Sequence, residues 1–257
     1  MRDGFSTFVR KEFLEIVRTW RIWVLPGMVL FFALTGPGLA KYTPQILQAV
    51  AGMDAEAVVK LLGHAPSLFD SYAQWIKNLS QVIFFALVII YAGVISSERA
   101  SGTAVLVLTK PVSRTAFVLA KVFVHGVFIS AITVVGTLVT WGMTALVFGD
   151  APGGHLWQAS LSWLVLALFF LALMTLLSVL IDSQAGAAGV GIGVWAALAL
   201  TALVPAAVLF SPAGLLVSPM AVAEGAPFPS VWPVVGSLVA AGVLVAWAAA
   251  SFRTREL

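Results

Sequence analysis

The chain has no cysteine, and charged residues make up only 10% of its 257 positions, against 61% hydrophobic. Without cysteine there is no disulfide framework, no thiolate nucleophile and no Cys-ligated metal centre. A soluble domain carries roughly 25% charged residues, so a chain this poor in charge cannot cover a water-facing fold of its size. The phosphate-loop pattern GxxxxGK[ST] and the zinc pattern HExxH are both missing, and the one glycine cluster, 186–193, contains no lysine. His64, His125 and His155 have no spacing that indicates a shared metal site. A formal net charge of +3 is too small to point to nucleic acid.

What the chain does have is length without charge. No Asp, Glu, Lys or Arg lies between Asp150 and Asp182, between Asp182 and Glu224, or between Glu224 and Arg253. A membrane crossing needs about 20 such residues. The apolar runs are continuous rather than alternating, which excludes a β-barrel. They predict spans at 22–40, 79–96, 122–148, 161–181, 185–210 and 231–252. The fold class is therefore all-α integral membrane, with six transmembrane helices in a single domain covering 1–257. The third and fifth runs exceed the length a crossing needs, so tilt or extension beyond the hydrocarbon is expected.

The basic residues set the orientation. Arg2, Arg10, Lys11, Arg18, Arg21, Arg99, Lys110, Arg114, Lys121, Arg253 and Arg255 fall on one side of these spans, and only Lys41, Lys60 and Lys77 on the other. The positive-inside rule places both termini and the 97–114 segment in the cytoplasm, and the Ala, Val, Gly and Arg bias suggests a prokaryote, hence a multi-pass inner-membrane protein. Trp23, Trp157, Trp163, Trp232 and Trp247 stand near predicted span ends, as interfacial aromatics do. Gly38 and Ala40 mimic a signal-cleavage site, but the 21 residues ahead of the run are long for a signal's basic region, and the first span reads as retained.

Residues 1–21 form an amphipathic segment. At about 100° per residue, Phe5, Phe8, Val9, Phe13, Ile16, Val17 and Trp20 gather on one side and Arg10, Lys11 and Arg18 lie largely opposite. Lys11 and Glu15 have i,i+4 spacing, while Glu12 interrupts the apolar arc. Such a helix lies in the cytoplasmic interface, either as a simple anchor or as an elbow bracing the first span. On the opposite side, 41–78 forms a small extracytoplasmic cap, with Asp54 and Gly63 bounding one short helix and Pro66 starting another. The stretch 211–230 is apolar but broken by Pro212, Pro219, Pro227 and Pro229, which predicts short or re-entrant helices.

Between the second and third spans, 97–115 holds a short apolar run, 104–108, flanked by Glu98, Arg99, Lys110 and Arg114 and bounded by Gly102 and Pro111. It is either a plain loop or a short amphipathic helix that buries its apolar centre in a soluble partner. The sequence SERASGT, the core LVLTKPVSR and the following FVLAK resemble the signature of permease subunits of type-2 ATP-binding-cassette (ABC-2) exporters. The resemblance extends to the N-terminal VRKEFLEIVR, to GLAKYTP at the first span's end, to Ser211-Pro212 and Ser218-Pro219, and to the closing FRTREL. It implies a cytoplasmic coupling helix that seats in a groove of an ATPase subunit. Glu98, Arg99, Gly102 and Thr103 would begin that element, and Lys110, Pro111, Ser113 and Arg114 would end it. It further implies two ABC ATPase subunits, which bind the ATP and Mg, and a second permease that is a homodimer partner or a paralogue. No cofactor is expected in this chain, and its remaining partners are membrane lipids rather than nucleic acid.

Two other patterns stand out. Gly126, Ser130, Thr133, Thr137, Thr140 and Thr144 recur at spacings of four and three, forming one narrow stripe on the third span. The stripe is either a packing face with hydroxyls bonded back to the helix or a candidate translocation face. Gly189 and Gly193 form a GxxxG pair that points to close helix packing. No charged residue sits near the middle of a predicted span, which disfavours a secondary transporter. The expected function is a permease subunit that couples a partner's ATP hydrolysis to outward movement of a lipid-like, amphipathic or peptide substrate. The alternatives are a non-transporting anchor or sensor subunit, or a secondary transporter.

Overall fold

The protein is described by a computed structural model covering residues 2–52, 54–102 and 113–255. Among them, six helices are long and apolar enough to cross a membrane, and there are no strands. In chain order the helices are α1 (Arg2–Arg18), α2 (Arg21–Ala51), α3 (Ala55–Leu62), α4 (Leu68–Asn78), α5 (Phe84–Tyr91), α6 (Ser96–Ala100), α7 (Arg114–Phe148), α8 (Gly153–Leu180), α9 (Gln184–Thr201), α10 (Pro205–Phe210), α11 (Gly214–Ala223) and α12 (Trp232–Thr254). A π-helical turn, Leu79–Ile83, joins α4 to α5 so that the two continue as one span.

Span boundaries differ from the sequence reading where proline and capping chemistry decide. The first run does not stop at 40: α2 continues to Ala51 through Pro26, Pro37 and Pro44, and Gly52 ends it at φ 65°. Each proline removes one donor and bends a helix without having to end it. Residues 41–51, expected in the outer cap, thus belong to the helix. The second span starts earlier than 79. Ser67 and Asp70 form a reciprocal capping box that launches α4 at Leu68. The fifth run is split: α9 ends at Thr201, Val204 is extended, and Pro205 opens the separate α10. Proline disfavours helical geometry in the residue before it, which fixes this break.

The central stave is α8, whose spanning window is 83% buried, against 11% for α9 and 17% for α12. Helices α5, α7, α9, α11 and α12 pack on it. Its Phe170 meets Phe84 edge-on at 4.7 Å, and its Ser160 Oγ accepts from Trp75 Nε1 at 3.1 Å. Glycines allow close approaches between helices at two points of the core. A Cβ at Gly136 would lie 2.5 Å from Trp75 and 2.6 Å from Val29, and one at Gly191 would lie 2.5 Å from the Met174 sulfur.

The GxxxG pair is not the close contact within this chain. Gly189 and Gly193 are exposed with nothing near them, one turn-side away from buried Ala187 and Gly191. Gly136→Ala should therefore destabilise the protein by about 1–3 kcal/mol, because Trp75 and Val29 are buried and cannot yield. Gly189→Ala should be neutral or stabilising by up to about 1 kcal/mol through helix propensity. Thermal loss of monodisperse protein in detergent compares the two.

Candidate functional site

The end of the bundle carrying both termini, here the basic end, gathers charged residues of α1, α6 and α7 with Asp182 and Arg255, which follow α8 and α12. On α1, Phe8, Glu12 and Ile16 form the face buried against α7. Glu12 falls in that apolar row because its partner lies across the contact: Lys121 Nζ donates to Glu12 Oε2 at 2.9 Å and to Glu98 Oε1 at 2.5 Å. Glu12 and Lys121 are each 1% exposed and Glu98 is 8% exposed. Lys11 Nζ reaches Glu12 Oε1 at 2.9 Å, Glu15 Oε2 at 2.8 Å and Glu98 Oε1 at 3.0 Å. His125 borders the cluster, with Nε2 3.9 Å from Glu12 Oε2 and its ring 5.0 Å from that of Tyr91.

Burial alone would lower the pKa of Lys11, but Glu12, Glu15 and Glu98 outweigh it and hold the group above its ordinary value. A raised folded-state pKa means that this pairing contributes fully below the ordinary lysine pKa. The contribution is lost only as pH climbs through the raised value. Glu12, Glu15 and Glu98 bring carboxylate oxygens within 4.8 Å of one another, a spacing that could hold a cation. The Lys11 ammonium already bonds all three, so the cluster carries its own cation.

The residues on either side of the 103–112 segment are turned into the bundle. Arg99 donates from Nη2 to Asp182 Oδ1 at 2.6 Å and from Nη1 to the Val179 carbonyl at 3.2 Å. Arg255 donates to the Leu180 carbonyl and lies 3.8 Å from the same Asp182 oxygen. Arg114 Nη1 donates to the carbonyls of Arg253 at 3.2 Å and Arg255 at 2.6 Å. Arg99 and Arg255 thus cap the carbonyl end of α8, and Arg114 caps that of α12, where unpaired carbonyls and the helix dipole favour cations. Gly102 leaves α6 at φ 72°, and Ser113 caps α7 by accepting from the Ala116 amide at 3.1 Å.

A break in the second span positions this region. The helix opens after Tyr91, and the amides of Ile95 and Ser96 both donate to Ser178 Oγ on α8 at 2.9 Å. One buried hydroxyl thus satisfies two amides that the broken helix would leave unpaired, each worth about 1–3 kcal/mol.

Of the residues singled out for contact with an ATPase, Glu98, Arg99 and Arg114 therefore bond within the chain, and Gly102 and Ser113 shape helix ends. Thr103, Lys110 and Pro111 lie outside the described residues. The third-span stripe is not an open surface: Thr133, Thr137, Thr140 and Thr144 are buried. Ser130, Thr133, Thr137 and Thr144 each donate to the carbonyl four residues back, and Thr144 also bonds Ser71 at 2.7 Å. In this conformation the stripe packs helices together, the first of the two readings its sequence allows. The buried cluster was missed because Glu12 reads as a flaw in an apolar arc and Lys121 as a residue at a span end. Their common signal is a charge at the i,i+4 position of an otherwise apolar face.

Lys121→Met should cost about 3–5 kcal/mol, since it removes the buried cation shared by Glu12 and Glu98 and leaves both carboxylates to the half-buried Lys11. Adding Glu12→Gln and Glu98→Gln should recover part of that loss. Thermal unfolding of the purified variants tests both expectations, and an unperturbed single variant would refute the role given to Lys121.

A family model described as "ABC-2 family transporter protein" matches residues 7–215, which include most of α1, the charged cluster and both described edges of the 103–112 segment. No match was found among curated proteins. With most of its length matched and six spanning helices in place, the chain belongs to the ABC-2 transporter family, as a multi-pass membrane subunit of permease type.

Proposed function

We propose that the chain is the membrane half of an ATP-driven exporter, with its basic end in the cytoplasm of a prokaryotic cell. The observation that carries this reading is that both edges of the 103–112 segment are tied to the ends of spanning helices. A push from an ATPase on that segment would travel through Glu98 to α1 and α7, through Arg99 to α8, and through Arg114 to α12. Two ATPase subunits, holding ATP and Mg, would serve this permease and a second one. Transmission then needs packed helices with two discrete arrangements rather than a compliant loop. The lack of charge near the middle of the spans supports a lipid-like, amphipathic or peptide substrate rather than a small ion. An anchor or sensor subunit would keep the fold but show no ATP-linked motion.

The test is copurification of an ATPase with the full chain, followed by ATP-driven movement in the reconstituted complex. Because the protein lacks cysteine, spin labels can be placed singly in 54–67 and 225–231. Glu98→Gln and Arg114→Gln should retain the ATPase and its hydrolysis while losing the ATP-dependent change in label distance. Coupled motion in both variants would refute transmission through these ties, and failure to recover any ATPase would favour the anchor reading.

A further inference from the structure

The buried face of α1 explains only half of its apolar residues. Phe13 and Val17 are exposed, and so are Phe123 and Val127 on the neighbouring turns of α7. These side chains, with Val9, wall a groove of about 570 Å³ between the two helices, and Arg10 stands exposed among its lining residues. The groove does not end at α1. A second hollow of about 560 Å³ shares Phe123 and Val127 with it and continues along α7 to Val134, beside Leu168 of α8.

From Phe123 to Val134 this trough is about 17 Å long at the helical rise. One leaflet of hydrocarbon is about 15 Å deep, half the thickness of the core. The match is to a single acyl chain running from the interface toward the midplane. The charge at the mouth selects what the chain is attached to. Glu12 and Glu15, the nearby acids of α1, are engaged by Lys11 and Lys121, so the local field at Arg10 is not neutralised by them. A transmembrane helix docked in the trough would draw Arg10 toward hydrocarbon. An anionic headgroup would instead leave it at the interface and give it a phosphate for charge-assisted bonding.

We propose that this trough is a binding site for one anionic phospholipid, its acyl chain between α1 and α7 and its phosphate at Arg10. Lipid there would fix α1 against the third span from the side opposite the charged cluster. Its placement in the cytoplasmic leaflet rests on the orientation proposed above; the binding itself does not.

Native mass spectrometry of the full chain, with phosphatidylglycerol or phosphatidylcholine supplied in equal amounts, tests it. One phosphatidylglycerol should be retained per chain in preference to phosphatidylcholine. Val127→Trp, which fills the trough, should weaken retention by at least about tenfold, the effect of a few lost methylene contacts. Arg10→Gln should reduce the preference for the anionic lipid by about fivefold, the weight of one arginine at a charged surface. Val239→Trp, on the exposed face of α12, should change neither. Equal retention of both lipids, or retention unaffected by Val127→Trp, would overturn the proposal. In the unmodified chain, phosphatidylglycerol with a photoreactive acyl chain should crosslink within residues 123–134. Crosslinks confined to other helices, or a crosslink between two copies at Phe123→Cys in place of lipid, would also overturn it.

Discussion

Glu12 and Lys121 are buried together, and neither can leave the site alone. Removing an ion from water carries a penalty of several kcal/mol that only a well-placed partner offsets. Here the partners come from three parts of the chain: Glu12 from α1, Lys121 from α7 and Glu98 from α6. Separating any two of these helices would strand a charge in low dielectric. The cluster therefore sets how α1 lies on the bundle, where the second span delivers its last turn, and where the third begins. Apolar contacts such as the edge-on pair of Phe8 and Phe117 at 5.7 Å fill in around a position the charges have already fixed. A purely apolar joint would hold as strongly but would tolerate sliding, because the hydrophobic effect is not directional.

The same preference for paired charge organises the rest of the basic end. The carbonyl ends of α8 and α12 would expose unpaired acceptors, and Arg99, Arg255 and Arg114 take them up. Two of these arginines flank the 103–112 segment, so each of its edges is anchored to a different helix terminus. Ser178 adds a third attachment at the break in the second span. Under the proposed function, this is what makes the segment a handle: a displacement at its edges cannot be absorbed locally without breaking charge-assisted bonds.

The six spans were legible because hydrocarbon imposes a length and a polarity that few sequences meet by accident. Their ends were less so. The first run reads as ending at 40, yet α2 continues through Pro44 to Ala51, whereas the fifth run breaks ahead of Pro205, where Val204 is extended. The charged cluster was hidden by its own logic. A glutamate on an apolar arc looks like weak amphipathicity until the lysine across the contact is known, and that lysine is 109 residues away. Glu98 and Arg114 were singled out by family resemblance as outward contacts. Their side chains instead point inward, a direction that residue type and spacing along a loop do not encode. For the glycines, the repeat Gly189 and Gly193 gave a pattern, but the contact belongs to Gly191, because a helix face is chosen by its neighbours and not by the motif.

The closed third-span stripe bears on where a substrate could pass. Thr137, Thr140 and Thr144 are fully buried. Gly136 in the same row has Trp75 and Val29 against its backbone, closer than a methyl group would allow. Opening a polar path there would require pulling α4 and α2 off α7 together, losing the Ser71 to Thr144 bond and the best-packed part of the core. By contrast α2, α9 and α12 carry most of their apolar surface outward, at Phe31, Leu200, Val239 and Val243 among others. In a transporter assembled from two such chains, rearranging faces that are already on the outside costs far less than opening this interior. Under the proposed function, a rigid bundle with a tied handle then suits movement as a body, with a pathway between subunits.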